Sequence, residues 1–161
     1  MKITRRQLLV STALVPVAAC AQLTNAITAV PAVASDVNRI AGALQKIEPT
    51  IEALTGLAGG AKATIEATIS QVSALAGQIA AASPTDVTGL VSQFAGGVAA
   101  IAGPLLGMPF LPAAVNIAIN AALALVPTIE QVVGIVSAPQ AARVAMTPDQ
   151  ARAALDHIIQ S

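Results

Sequence analysis

Two side chains in this 161-residue sequence have the chemistry of a soft nucleophile or a neutral-pH base, Cys20 and His157, and they stand near opposite ends of the chain. A nucleophile needs a base within hydrogen-bond reach and a third group to orient that base. His157 sits beside Asp156, with Arg152 five positions earlier, and no nucleophile is near it in sequence; an exposed imidazole on a terminal helix is expected to be inert. The eight carboxylates are scattered. Glu48 and Glu52 are one helical turn apart and alike in charge, whereas Lys62 and Glu66 form an opposite pair, and both spacings suit a solvated helix face. There is no HExxH, no glycine-rich phosphate loop and no run of metal-ligating residues. A single cysteine excludes both an internal disulfide and a cysteine-based zinc site. The expectation is a protein that is not an enzyme and holds no metal or cofactor.

Cys20 has a different context. The first twenty residues, MKITRRQLLVSTALVPVAAC, run from a short basic start through an apolar stretch to small residues and the cysteine. That is the layout of a signal peptide, and its apolar stretch is too short to span a bilayer. Thr4-Arg5-Arg6-Gln7-Leu8-Leu9 resembles the twin-arginine export motif, with Arg5 and Arg6 as the paired arginines. The general secretory route accepts the same arrangement. Val17-Ala18-Ala19-Cys20 resembles the lipobox of bacterial lipoproteins. The resemblance implies cleavage before Cys20 and lipidation of its sulfur; cleavage after Ala19 or Ala21 without lipid would leave a free thiol. Ala21, in place of an aspartate, goes in such lipoproteins with delivery to the outer membrane. The resemblance covers residues 1–20 only. A multiply acylated cysteine is a stable anchor, since each buried methylene contributes about 0.8 kcal/mol. The expected partner is thus a membrane, engaged through Cys20 from the periplasmic side.

Composition narrows what the remainder can be. Hydrophobic residues make up 55% of the chain, charged residues 10% and aromatics 1%, which excludes solvated disorder. Without Lys2, Arg5 and Arg6 the remainder carries five basic against eight acidic side chains. Nucleic acid as a partner is excluded, because a basic stripe and stacking aromatics are both missing.

Only helices use the spacing of the apolar residues. Residues 20–34 hold no charge and include Pro31, and are expected to act as a tether after the 1–19 signal segment. Ser35-Asp36 reads as an N-cap. From there Val33, Val37, Ile40, Leu44, Ile47 and Ile51 recur in steps of four and three, and the seam continues through Ile65, Val72, Leu75 and Ile79. Pro49 and Gly59-Gly60 interrupt it, which predicts a kinked helix over 36–57 and a second over 61–82, packed antiparallel or colinear as one stalk. Ser83-Pro84-Thr85-Asp86 has the form of a helix start, followed by the seam Val87, Val91, Phe94, Val98, Ile101 and Leu105. A fourth run places Val115, Ile119, Ala122, Val126 and Ile129 on one side, with a kink expected at Pro127. Thr147-Pro148-Asp149-Gln150 caps a fifth, with Ala151, Ala154, Leu155, Ile158 and Ile159 inward. Pro49–Leu57 and Pro127–Ile135 share five identities, as a duplicated hairpin would, or chance in an alanine-rich helical chain.

The expected fold is all-α, a small alanine-rich bundle of about five helices forming one domain over 35–161. Its middle is unusual: between Asp86 and Glu130, residues 87–129 hold no charged side chain. They suit the apolar central hairpin of a bundle, covered by neighbours, or a hairpin that inserts into a bilayer. Asn116 and Asn120, one turn apart, could bond to Gln93 or Gln131. Three functional readings follow. The first is a lipid-anchored envelope protein with a structural or interaction role, self-associating or binding another envelope protein through Val91, Phe94, Val98 and Ile101. The second is a membrane-active protein, and the third a carrier of an apolar ligand.

Overall fold

Alanine is the best helix former, and here it fills the positions between larger apolar residues spaced three and four apart, so each run closes an amphipathic helix. The computed structural model describes residues 15–135 and 146–161, with side chains over 30–135 and 146–161. It contains α1 (Val15–Glu52), α2 (Gly59–Ala81), α3 (Val87–Leu106), α4 (Ala113–Val132) and α5 (Pro148–Gln160), and no strand among the described residues. Arg5 and Arg6 lie outside the described residues, and of Val17, Ala18, Ala19 and Cys20 only the helical backbone is described.

Connections of six, five and six residues force α1 to α4 to run up and down in turn. α1 packs on α2, α2 on α3, α3 on α4, and α4 returns to α1, so the four close into a ring. This excludes the colinear stalk. α5 lies outside the ring against α1 and α4. The core is built from the predicted seams: Val37, Ile40 and Leu44 of α1, Ile65, Val72 and Ile79 of α2, all six seam residues of α3, and Val115, Ile119 and Val126 of α4. Alanines fill the space between, and the helices come close. An added Cβ at Gly97 of α3 would stand 2.6 Å from Val72 Cγ2 on α2.

Several boundaries differ from expectation. Ser35-Asp36 does not start a helix, because α1 already runs through 20–34, the stretch read as a tether. That stretch is rich in good helix formers and lacks glycine, while Pro31 holds a helical φ and removes a single donor. α1 also ends at Glu52, before Leu57, where the backbone tightens with Leu54 N donating to the Ile51 carbonyl at 3.1 Å. Lys62 Nζ donates to the free Glu52 carbonyl at 2.7 Å. That bond engages the lysine expected to pair with Glu66; among the described residues no Lys62–Glu66 ion pair forms. Ser83 does not cap α3 with its side chain either. Its hydroxyl donates to Asp86 Oδ2 at 2.6 Å, while its carbonyl accepts from Val87 N at 3.2 Å.

The two similar segments end their helices differently. α4 passes through Pro127 and stops in a Schellman turn: Ile135 N donates to the Glu130 carbonyl at 2.8 Å, Gly134 N donates to the Gln131 carbonyl at 3.2 Å, and Gly134 has φ 78°. Gly56, its counterpart after α1, does not adopt a positive φ.

The predicted cap of α5 is present as a complete capping box, with Gln150 N donating to Thr147 Oγ1 at 3.3 Å and Thr147 N donating to Gln150 Oε1 at 3.0 Å. Thr147→Ala is expected to weaken α5 by about 0.5–2 kcal/mol. Exchange of the α5 amides would report it, and Thr147→Ser would restore the wild-type value.

Candidate functional site

The sole histidine is exposed on α5, and the carboxylate beside it is already engaged: Asp156 Oδ1 accepts from Arg39 Nε at 2.9 Å rather than orienting His157. No nucleophile, base and orienting group come together there. No group of three metal-ligating side chains converges among the described residues.

The polar chemistry of the molecule gathers instead between α1 and α5. Asp36, 4% exposed, receives a bidentate guanidinium from Arg152, with Nε donating to Oδ1 at 2.9 Å and Nη2 to Oδ2 at 2.7 Å. From its own helix, Arg39 Nη1 donates to Asp36 Oδ1 and to Ser35 Oγ, each at 3.1 Å. Arg152 Nη1 donates to the exposed Asp149 at 2.9 Å. Bidentate, charge-assisted bonds of this kind fix orientation as well as contributing energy. The hydrogen bonds to Asp36 raise the Arg152 guanidinium above its ordinary value, against the opposing effect of burial. Arginine already titrates far above neutrality, so Arg152 stays charged at every pH at which the chain is folded.

The cluster was half visible in the sequence. Asp36 falls directly beside the seam positions Val33, Val37 and Ile40, where an acid must be either exposed or paired. Arg152 and Asp156, four apart on α5, present the complementary charges.

Val91, Phe94, Val98 and Ile101, the residues expected to meet a second chain, are each at most 1% exposed. Their partners are α2 and α4 of the same chain, so an interface through them would require the ring to open. What α3 shows to solvent is Thr88, Gly89, Ser92, Gln93, Gly96, Ala100, Gly103 and Pro104. Asn120 is buried and its amide bonds Asn116, at the carbonyl 2.8 Å away and at Oδ1. Neither Gln93 nor Gln131 is its partner, and both are exposed. The Asn120 Oδ1 atom is buried without a hydrogen-bond partner.

Large apolar groups reach the surface at one end of the bundle. Phe110, in the connection between α3 and α4, is 87% exposed. It borders a groove of about 480 Å³ formed with Leu54, Met108, Pro109, Leu111, Pro112 and Asn116. A second groove, of about 370 Å³, lies between α4 and α5 and is lined by Ala114, Ile117, Ala154, His157, Ile158 and Ser161. Both provide contact surface, and neither presents a convergent set of reactive groups.

No family model matches the chain, and no curated protein or solved structure is significantly similar to it.

Proposed function

We propose that this chain is a lipid-anchored helical protein of the bacterial envelope, facing the periplasm, that acts by contact rather than by catalysis. The observation that carries the reading is Val17-Ala18-Ala19-Cys20, placed after a basic start and a short apolar run, with Cys20 the sole cysteine of the chain. Export by the twin-arginine route and an outer-membrane destination belong to the same proposal. The helical course of α1 through Cys20 into the bundle supports it, since an anchored Cys20 would then carry the ring on a continuous helix. The engagement of Asp156, Asp36 and both partner arginines in one structural cluster also favours contact over chemistry.

A second reading is favoured by two observations: α3 and α4 are each long and apolar enough to cross a membrane, and Phe110 projects from the turn between them. In that reading the 87–129 hairpin inserts. The direction of the large side chains weighs against it. Val91, Phe94, Val98, Ile101 and Leu105 all point inward, and the outer side of α3 offers lipid mainly glycine, alanine, serine, threonine and glutamine.

One fractionation separates the two. The wild type is expected in the membrane fraction after carbonate washing, and a chain starting at Ala21 behind a cleavable soluble export signal in the soluble periplasmic fraction, with Cys20→Ala joining it once its signal segment is removed. Carbonate-resistant membrane association of the chain starting at Ala21, which has neither lipid nor signal segment, would overturn the anchor as sole attachment and support insertion of 87–129. A soluble wild type would remove both readings.

A further inference from the structure

The ring of α1 to α4 is closed without α5, because α4 packs directly on α1. α5 covers that junction from outside with three buried side chains, Ala151, Leu155 and Ile158, whereas α4 buries eleven residues. At 13 residues α5 is too short to be a stable helix alone, so undocking and unwinding are one event. Every ion pair between different helices, among the described residues, joins α5 to α1: Arg152 to Asp36 and Arg39 to Asp156.

We infer that α5 is a clasp that opens as a unit while the four-helix ring stays folded, and that Asp36 is its lock. The lock is built to reopen. When α5 leaves, Asp36 loses Arg152 but keeps Arg39 Nη1 of its own helix, and the departure of its cover returns it to water. No buried charge is stranded, so opening avoids the penalty that normally makes a broken buried pair irrecoverable. At the other end of the clasp the contact is apolar: Ile159 Cδ1 would lie 3.4 Å from a Cβ placed on Gly42. Opening uncovers this glycine side of α1 and removes the α5 wall from the groove beside Ala114 and Ile117 of α4, which are already exposed while α5 is docked.

The test is native-state hydrogen exchange on the purified full chain, comparing wild type with Asp36→Asn, Arg152→Gln and Gly42→Leu. Amides of 151–158 are expected to exchange at least about tenfold faster than those of 69–79 and 91–101. Each variant should raise α5 exchange by a further factor of about ten and leave α2 and α3 unchanged. Arg152→Gln leaves α1 intact, and Gly42→Leu displaces α5 without altering charge, so a general disturbance from Asp36→Asn would not obscure the result. Equal protection of all five helices, or a variant that shifts them all together, would show one cooperative unit and overturn the clasp. If α5 opens separately but neither Asp36→Asn nor Arg152→Gln accelerates it, Asp36 is not the lock.

Discussion

Phe94→Ala is expected to lower the unfolding free energy by about 3–5 kcal/mol, a large share of the total for a domain of this size. Phe94 is one of two phenylalanines in the chain and is 1% exposed, on the face of α3 that meets α2 and α4. The core of α4 is rich in short side chains, with Ala118, Ala121 and Ala122 all buried, and these cannot lean into the space an aromatic ring vacates. The cavity therefore persists, and its lining loses dispersion contacts as well as transfer free energy. Urea unfolding followed by far-ultraviolet circular dichroism would report the change as a lower midpoint. Phe94→Leu should recover more than half of the loss. The other phenylalanine provides the contrast: Phe110 is 87% exposed, and its truncation to alanine is expected to fall within about 0.5 kcal/mol of zero. Equal effects at the two positions would mean that the inward face of α3 has been assigned to the wrong side.

Two adjacent glycines should respond with opposite sign. At Gly96 an added Cβ meets nothing within 4 Å, so Gly96→Ala is expected to stabilise α3 by about 0.4–1 kcal/mol through the lost freedom of the unfolded chain. At Gly97 the same atom would stand 2.6 Å from Val72 Cγ2 and 3.8 Å from Thr68 Cγ2. Val72 is fully buried and β-branched, with one favoured rotamer in a helix, so it has no alternative position. α2 and α3 must then separate, at an overpacking cost of about 1–3 kcal/mol, set against the same propensity gain. The difference between the two variants isolates helix–helix packing from propensity. Thermal midpoints measured side by side would give it, with Gly96→Ala above wild type and Gly97→Ala below. A Gly97→Ala variant as stable as Gly96→Ala would place α2 and α3 farther apart than described.

The proposed lipid-anchor segment and the bundle make separate demands on the chain. Cys20 needs only its local neighbours, Val17, Ala18 and Ala19, to resemble a lipobox, and that pattern was readable without any fold. The candidate contact residues Val91, Phe94, Val98 and Ile101 were also readable as one helical face. What covers that face was not, and the answer is α2 and α4 rather than a second chain. A seam marks a side chain for burial but carries no address for its partner.

Local rules account for most of what could be read. Helix phase follows from 3.6 residues per turn, a property of the backbone at each position, so the burial of Val87, Val91, Phe94, Val98, Ile101 and Leu105 was set by their spacing alone. The capping box at Thr147 and Gln150 is equally local, spanning three residues. Asp36 shows where this ends. Its side chain suits an N-cap by type, but the residues before it continue the helix, and its main partner, Arg152, is 116 positions away. Lys62 likewise bonds the end of the preceding helix in place of the residue one turn ahead. In both cases a long, charged side chain chose between several oppositely polarised groups, and the choice rests on distances that exist only after the helices have packed. Sequence alone thus determined the helix phase and which faces turn inward, though not where α1 begins and ends, because phase is set by neighbours along the chain. Tertiary structure decided that four helices close a ring and that a fifth packs across α1 and α4 with its Arg152 on the buried Asp36, because those depend on groups brought together through space.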